Sequence, residues 1–291
     1  MSKLASLIMT LMAFFPGVAL ASPDIIRQQL PQAVPHYYKW GTLFVNLQVH
    51  LFKVLFLVAL IAVIAVEFLH FVVVGPKRFE ESGRKIKVYN AFMRLVHWLA
   101  ALSFTILVPT GLIIVFSKFF GGDGFVRTMR SLHFLGAILF AIAVVPLFLM
   151  WVLDMLPEEG DIKWILVGGG YLTKKKVETG AGKFNPGQKA WFWIATGFGA
   201  LLLITGFLMY LRKPNFIIPF VKYQIDALRL AAIIHNFAAL IVLVMFLVHL
   251  YMSLFAVKGS LKSMITGYKD EEEIKYMHSS FYERVKDRLG K

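Results

Sequence analysis

The stretch LRLAAIIHNFAALIVLVMFLVHLYMSLFAV, residues 228–257, decides the fold class of this chain. One helix needs about 20 consecutive apolar residues to cross the hydrocarbon core of a bilayer, and this stretch is long enough. It is also far longer than an ordinary β-strand. The stretch therefore predicts a membrane-spanning helix, and it places two histidines, His235 and His249, inside that helix.

The remainder of the chain repeats this apolar pattern. Hydrophobic residues make up 58% of its 291 residues and charged residues only 16%, whereas soluble domains have roughly 45–50% and about 25%. A soluble or disordered chain is therefore excluded. Five stretches are long enough to span a membrane: 47–74, 92–116, 131–153, 190–211 and 228–257. We predict an all-α integral membrane bundle, with a four-helix core over 92–257 and one extra N-terminal transmembrane helix.

Residues 1–21 are typical of a signal peptide. Lys3 precedes an apolar run, and Ala19-Leu20-Ala21 fits a small-x-small cleavage site. The alternative is an uncleaved anchor helix, which Pro16 and the short apolar run disfavour. Cleavage would leave a periplasmic N-terminal segment over residues 22–46.

Basic residues indicate how the spans are oriented. A formal net charge of +14 would suggest a nucleic-acid partner in a soluble protein, but in a membrane protein it fits the positive-inside rule. With the N-terminus outside, the segments 75–91, 154–189 and 258–291 lie inside and hold 19 basic residues, against six in the outside loops. We therefore expect a multi-pass protein of the bacterial inner membrane, with a periplasmic mature N-terminus and a cytoplasmic tail over 258–291.

Cysteine is absent from the chain. This excludes disulfides, thiolate metal sites, iron–sulfur clusters bound by this chain and covalent haem attachment through Cys-x-x-Cys-His. Any redox cofactor must be held by His, Met or Tyr, or be carried by another subunit.

Four histidines lie inside the predicted spans or at their ends. An ionisable residue at such a place indicates function by default, and the alternative is a structural histidine bonded to a neighbouring helix. His235 and His249 are 14 residues apart, which places them within roughly 40° of one helix face and about 21 Å apart along the axis. One helix thus presents an imidazole near each membrane surface.

Topology provides each of these histidines with a counterpart at the same depth. His97 begins a span on the inner side and His133 begins one on the outer side, so that depth pairs His97 with His249 and His133 with His235. Neutral imidazole is a good iron ligand, and bundles build haem sites from facing helices. We therefore predict two b haems, the inner one ligated by His97 and His249 and the outer one by His133 and His235.

The other histidines are predicted to have different roles. His50 and His70 lie on roughly opposite faces of the span 47–74, which favours interface or loop-anchoring residues over ligands. His278 lies in the polar tail, and we expect it to be solvated.

The histidine motifs resemble a known family. They are Arg94-Leu-Val-His97-Trp98, Ser131-Leu-His133-Phe-Leu-Gly136, Ile234-His235-Asn236 and Val248-His249-Leu-Tyr251-Met252, with Lys183-Phe-Asn185-Pro-Gly187-Gln188-Lys189-Ala-Trp-Phe-Trp193 between them. Over about residues 92–268 the set resembles the gamma subunit of respiratory formate dehydrogenase, a membrane cytochrome b. The histidine spacings are shared with other cytochrome b subunits, including those of nickel–iron hydrogenases. The signal peptide and the span 47–74 depart from the four-helix form and leave the role of the first helix open.

The resemblance implies an electron-transfer and quinone-reducing subunit. A catalytic alpha subunit with molybdenum or tungsten would oxidise formate outside the membrane, and an iron–sulfur beta subunit would pass electrons to the outer haem and then to the inner haem. A quinone, menaquinone or ubiquinone, would be reduced beside the inner haem with protons from the cytoplasm. Asn185, Gly187, Gln188 and His249 match the family's quinone-site positions. A higher oligomer is also compatible with the resemblance.

Two alternatives stay open at this point. The loop residues also fit a plain helix start, with Asn185 as the cap, Pro186 in the first turn and Gln188 at the third position. The architecture could equally serve a nickel–iron hydrogenase or another periplasmic oxidoreductase. A transporter is disfavoured because broken helices and paired repeats do not stand out.

Overall fold

The computed structural model describes residues 41–80, 83–211 and 224–289. The predicted signal peptide 1–21, most of the segment 22–46 and the loop 212–223 lie outside the described residues. In the described part, five helices are long and apolar enough to cross a membrane, so the predicted helical membrane bundle is confirmed.

The helices and strands follow one another in a simple order. They are α1 (Gly41–Val73), β1 (Lys85–Lys87), α2 (Ala91–Val115), α3 (Asp123–Trp151), α4 (Glu159–Leu166), α5 (Pro186–Leu211), α6 (Ile225–Ala256), α7 (Ser260–Thr266), β2 (Tyr268–Asp270), α8 (Glu271–Met277) and α9 (Ser279–Leu289). The spanning helices are α1, α2, α3, α5 and α6. Short π-helical turns interrupt α1 at Leu47–Leu51, α5 at Ile194–Phe198 and α6 at Met252–Ala256.

All five spanning helices extend beyond the start of the apolar runs that predict them, and the largest differences are in α1 and α3. α1 is already helical at Gly41, the first described residue, rather than at 47, and α3 begins at Asp123 rather than 131. Arg127 and Arg130, which the sequence places in an outside loop, lie on the first turns of α3. A hydropathy window ends at the first charged residues, whereas backbone hydrogen bonding continues until a capping residue stops it. Gly122, with φ at 74°, occupies that position before α3.

The core of the bundle lies between α2, α3, α5 and α6. Phe104, Phe140, Ala195 and Phe246 belong to a buried cluster to which each of these four helices contributes. The rings of Phe104 and Phe246 stack with centroids 5.2 Å apart. This aromatic layer separates the two ends of the bundle, where the predicted haem ligands lie.

The extra helix α1 packs on the outside of this core against α6. Its buried residues Phe52 and Phe56 form a cluster with Ile233 and Leu243 of α6. α1 is therefore an integral part of the bundle rather than a separate anchor.

One end of the bundle is covered by a folded layer that we call the cap, made of residues 75–80, 83–90, 154–185 and 258–289. β1 pairs with β2 in an antiparallel two-stranded sheet. The tail returns over the loop before α5, where the Thr179 amide donates to the Tyr276 carbonyl at 3.0 Å. The sequence predicts three separate polar segments here, and the structure joins them.

This folding makes the prediction of a solvated His278 wrong. His278 is 3% exposed, and its Nδ1 donates to the carbonyl of Gly182 at 2.9 Å. The tail has few apolar residues in a row, so its own sequence does not reveal that it is buried by a loop about 100 positions earlier.

Candidate haem and quinone sites

The four histidines of the spans meet as two facing pairs. The ring centroids of His97 on α2 and His249 on α6 are 6.3 Å apart. Those of His133 on α3 and His235 on α6 are 6.4 Å apart. The structure therefore brings together the same rings that membrane depth pairs, one pair at the capped end of the bundle and one at the other end.

The separation within each pair fits two ligands of one iron atom. A metal–imidazole bond is about 2.0–2.1 Å long, and a ring nitrogen lies about 1 Å from its own centroid. Two rings on opposite sides of one metal are thus roughly 6 Å apart, close to the observed 6.3 and 6.4 Å. Two rings in direct hydrogen-bonded contact would leave no such gap along the line between them. The residues therefore fit a haem with two axial histidines at each end.

Threonine hydroxyls orient the two rings of the outer pair. Thr110 Oγ1 lies 3.0 Å from Nδ1 of His133, and Thr205 Oγ1 lies 2.9 Å from Nδ1 of His235. Each hydroxyl donates its own proton to a carbonyl one turn earlier in its helix, at 2.6 and 2.7 Å. It can therefore only accept from the imidazole, which fixes the proton on Nδ1 and leaves the Nε2 lone pair for a metal.

A glycine follows each of these threonines and makes room for the ring. A Cβ atom at Gly111 or Gly206 would lie 3.3 Å from Cε1 of His133 or His235, which is tighter than ordinary van der Waals contact. The Thr-Gly dipeptides at 110–111 and 205–206 thus form equivalent cradles on α2 and α5. The sequence alone does not single them out, because Thr-Gly also occurs at 179–180, 196–197 and 266–267.

The capped pair has different surroundings. Trp191 stacks on His249 with centroids 5.2 Å apart and planes at 17°. The Nδ1 atom of His97 is buried and has no hydrogen-bond partner among the described residues. An orphaned buried nitrogen is costly, and it lies beside a cavity.

That cavity, which we call the main cavity, has a volume of about 490 Å³. Its walls hold both histidines of the capped pair and the predicted quinone-site residues Asn185, Gly187 and Gln188. The corresponding predictions therefore fall on one continuous space next to His249. Aromatic and aliphatic side chains form most of the lining, which suits a flat apolar ligand with a few polar groups.

The start of α5 presents its polar groups to this cavity. Asn185 Oδ1 accepts from the Gln188 amide at 3.0 Å, and Gln188 Oε1 accepts from the Asn185 amide at 2.9 Å. This capping box confirms the helix-start interpretation. The capping box uses the side-chain oxygen of each residue as an acceptor, so the N–H donors of the two side-chain NH2 groups take no part in it. Asn185 Nδ2 lies 3.5 Å from the Tyr171 hydroxyl.

A buried ion pair fixes the position of this helix start. Lys189, 5% exposed, donates to Asp161 Oδ2 of α4 at 2.8 Å. Trp164 of the same short helix lies against Gly187, where a Cβ atom would be 3.4 Å from its ring. α4 therefore holds the first turn of α5 against the cavity.

Part of the wall of the main cavity consists of titratable residues that the sequence predictions did not assign to the site. They are Tyr89, Tyr171, Lys269, Glu273 and His278. Lys269 and Glu273 are 6% and 2% exposed and form an ion pair of 2.5 Å. Their spacing of four residues was the available signal, but it occurs on many solvated helices.

Burial and charge shift the proton affinities along this wall. Burial alone lowers the pKa of Lys269, but the nearby Glu273 and Tyr89 outweigh it and raise that pKa above its ordinary value. Burial, with the charge of Lys269, lowers the pKa of His278 to about 3. Burial raises the pKa of Tyr171 to about 12. At neutral pH the wall therefore holds one ammonium group, one neutral imidazole and neutral phenols around Glu273.

His70 does what the sequence predicts for it. Its Nδ1 lies 2.6 Å from the Tyr251 hydroxyl, and its Nε2 lies 3.0 Å from the Tyr171 carbonyl in the cap. It connects α1 with α6 and with the loop after α4, which confirms the loop-anchoring role.

Comparison with known families agrees with this arrangement. Residues 88–267 match the family model described as prokaryotic cytochrome b561. The chain belongs to the prokaryotic cytochrome b561 family. A second model, described as formate dehydrogenase N, transmembrane, matches residues 51–83. The cytochrome b561 match contains all four paired histidines, and haem b is the cofactor that this family implies.

Several curated relatives share most of their length with this cytochrome b561 member. The formate dehydrogenase cytochrome b556(fdo) subunit of Escherichia coli strain K12 is 31% identical over 202 residues, 68% of this chain and 92% of the relative. The nitrate-inducible cytochrome b556(Fdn) subunit of the same strain is 29% identical over 213 residues, 70% and 94% of the two chains. The formate dehydrogenase cytochrome b556 subunit of Haemophilus influenzae is 29% identical over 198 residues, 65% and 79%. The resemblance to formate dehydrogenase cytochrome b subunits is thus confirmed.

Proposed function

We propose that this membrane cytochrome b serves a formate dehydrogenase and carries electrons through two b haems to a quinone. The observation that carries the proposal is that two facing histidine pairs have the separation of two iron ligands, and that one pair shares a cavity with the start of α5. His97 and His249 line this cavity together with Asn185, Gly187 and Gln188. The pair His97 and His249 thus suits electron exit to a ligand in that cavity.

The ligand set favours electron transfer over oxygen chemistry. His133 and His235 would hold the outer haem, and His97 and His249 would hold the inner haem. When bound, the haems would supply one-electron transfer, and each iron would be held by two imidazoles of this chain. The chain contributes orientation, because Thr110 and Thr205 fix the outer rings and Trp191 supports the ring of His249.

The part of the main cavity at the start of α5 is the proposed quinone site, and it adjoins the space between His97 and His249 that the inner haem would occupy. The NH2 groups of Asn185 and Gln188 can donate to a quinone carbonyl, and the first turn of α5 offers backbone amides such as that of Gly187. His249 lies at the boundary between this site and the inner haem. The ring and tail of a menaquinone or ubiquinone would contact the apolar lining.

The distribution of basic residues supports an orientation of the protein in the membrane. The basic excess of the segments that form the cap favours a cytoplasmic position for the capped end, with a periplasmic mature N-terminus after cleavage of residues 1–21. The pair His133 and His235 would then face the periplasm, where an iron–sulfur beta subunit and a molybdenum or tungsten alpha subunit would bind. The names of the three relatives favour formate over hydrogen as the electron source.

A haem count tests the proposal directly. The purified complex should contain two haems b per chain in a pyridine haemochrome assay, and reduction by formate should be followed by quinone reduction. One haem or none would refute the ligand assignment.

Substitution of single ligands tests the partition between the two haems. His133→Ala should remove only the outer haem, because His235 by itself provides only one of the two imidazole ligands. His249→Ala should remove the inner haem and quinone reduction together. Reduced-minus-oxidised spectra measure both, and a variant that retains two haems would contradict the pairing.

A further inference from the structure

The buried pair Lys269 and Glu273 forms a wall between two cavities. On one side is the main cavity with Asn185, Gln188 and His249. On the other side is a pocket of about 70 Å³ in the surface of the cap. Lys269 and Glu273 line both spaces, and the other residues of the surface pocket are Lys85, Gly259, Lys262, Thr266, Tyr268 and Asp270.

This pair is an unusual choice for a structural contact. Removing two charges from water is expensive, and apolar residues of similar volume are often as stable as a buried ion pair. The neighbouring Glu272, on the same helix α8, shows the ordinary alternative, since it pairs with Lys176 outside the main cavity at 2.5 Å. Glu273 instead points inward, to the space where the quinone is proposed to bind.

Further titratable groups surround the pair on every side. On the main-cavity side these are Tyr89 before α2, Tyr171 after α4 and His278 after α8. On the pocket side the charged groups are Lys85, Lys262 and Asp270. Tyr171 connects these groups with the start of α5, because its hydroxyl lies 3.5 Å from Asn185 Nδ2. Groups that can hold or move a proton thus extend from the surface pocket to the predicted quinone residues.

We propose that Lys269 and Glu273 relay protons from the surface pocket to the quinone in the main cavity. The inference rests on the proposed function, which supplies the quinone and the electrons. Reduction of one quinone to a quinol takes two electrons, which arrive through the inner haem, and two protons. For each proton, an N–H bond of Lys269 or the O–H bond of protonated Glu273 breaks and an O–H bond forms on the quinone, directly or through Tyr171 or water. A proton from solvent in the surface pocket then restores the pair.

The experiment uses the purified complex with its partner subunits and haems. Glu273→Gln keeps the size of the side chain but removes its ability to exchange a proton. After the haems are reduced in the absence of quinone, their reoxidation by added quinone is followed by stopped-flow absorbance. We expect reoxidation to slow by about 10²-fold, the lower part of the range for a lost proton donor. Glu273→Asp should recover most of the rate.

Two further measurements separate relay from structure. The haem content and the dissociation constant of a quinone-analogue inhibitor, measured by fluorescence quenching, should stay within about twofold of wild type. The infrared difference spectrum on quinone reduction should lose a carboxyl band in Glu273→Gln. The matched control is Glu272→Gln, which removes a carboxylate from the same helix outside the main cavity and should leave all readouts unchanged.

Glu273→Gln leaves Lys269 buried without its partner and could therefore disturb folding. A second variant makes the test independent of this effect. The double variant Lys269→Met and Glu273→Met replaces both charges by apolar groups, and we expect it to fold and still reoxidise its haems slowly. Wild-type reoxidation in either variant would overturn the relay while the quinone site stands. Loss of inhibitor binding in both would overturn it in favour of a structural role. A wild-type complex with haems but no quinone reduction would refute the proposed function, and the relay with it.

Discussion

Thr110 and Thr205 have equivalent places beside the two histidines of the outer pair. Each is followed by a glycine that leaves space for the ring, and each accepts the imidazole Nδ1 proton. At the scale of single residues, the proposed outer haem site would therefore depend on groups that do not touch iron. Without the hydroxyl, the imidazole N–H group would lose one of its acceptors, and the tautomer would be held less firmly.

Thr205→Val tests this role with nearly unchanged volume. Loss of a partner of a ligating histidine typically costs 10–100-fold in metal affinity, and we expect partial loss of the outer haem and a shift of its reduction potential. Redox titration of the haem bands measures both. Thr196→Val is the control, because Thr196 is buried on the same helix and donates only to a carbonyl of that helix. Equal effects of both substitutions on the outer haem would contradict the prediction.

At the scale of elements, the extra helix α1 and the cap hold the capped end of the four-helix core together. His70 of α1 forms hydrogen bonds with the Tyr251 hydroxyl of α6 and with the carbonyl of Tyr171. The cap contributes His278 to the carbonyl of Gly182. Both contacts join segments far apart in sequence, and the contact of His70 with the Tyr171 carbonyl attaches α1 to the cap.

His70→Ala tests the contribution of α1. It leaves the Tyr251 hydroxyl and the Tyr171 carbonyl without this partner, and because both contacts are half-buried, the cost should be near the lower end of the range for a buried group, about 1 kcal/mol. We expect faster backbone hydrogen exchange around residues 168–176. His50→Ala on the same helix is the control, since His50 lies towards the other end of α1 and should not affect this loop. Unchanged exchange in His70→Ala would refute the anchoring role.

The low pKa of His278 predicts that the cap is sensitive to acid. Burial holds this pKa at about 3 in the folded cap, against 6.5 for a free histidine. The unfolded cap therefore binds a proton more readily, so full stability is present above about pH 6.5 and is lost as pH falls towards 3. Hydrogen exchange of α8 and α9, corrected for intrinsic rates, should show this loss. His278→Asn should weaken the pH dependence, and an unchanged dependence would contradict the assignment.

At the scale of the whole molecule, α6 connects the two proposed haem sites. Its histidines at positions 235 and 249 are about 21 Å apart along the helix axis, and Phe104, Phe140 and Phe246 fill the space between the pairs. The capped end holds the main cavity and the proposed proton relay. Orientation in the membrane therefore decides from which compartment protons are taken.

Cysteine labelling can test this orientation, because the chain has no cysteine of its own. Lys174→Cys introduces a thiol in the cap, and Lys118→Cys introduces one between α2 and α3 at the other end. In intact spheroplasts an impermeant maleimide should label position 118 and not position 174. Permeabilisation should expose both, and the reverse pattern would refute the positive-inside orientation.

The sequence by itself determined the spans and the histidine pairs. Apolar length fixes which segments cross a membrane, the direction of each span follows from the one before, and a histidine at one end of a helix can meet only partners at the same depth. His97, His133, His235 and His249 could therefore be matched without knowledge of any contact. The helix cap at Asn185 was equally readable, because its signal lies within four residues.

Only the tertiary structure decided the cap, the Thr-Gly cradles and the wall made by Lys269 and Glu273. A lysine and a glutamate four residues apart are the same whether they lie in water or in a cavity wall. Their burial comes from Tyr89 and Tyr171, which are about 180 and 100 positions away in the chain. Contacts over such separations leave no periodic pattern in a local segment, because they depend on how the loops fold over the ends of the helices.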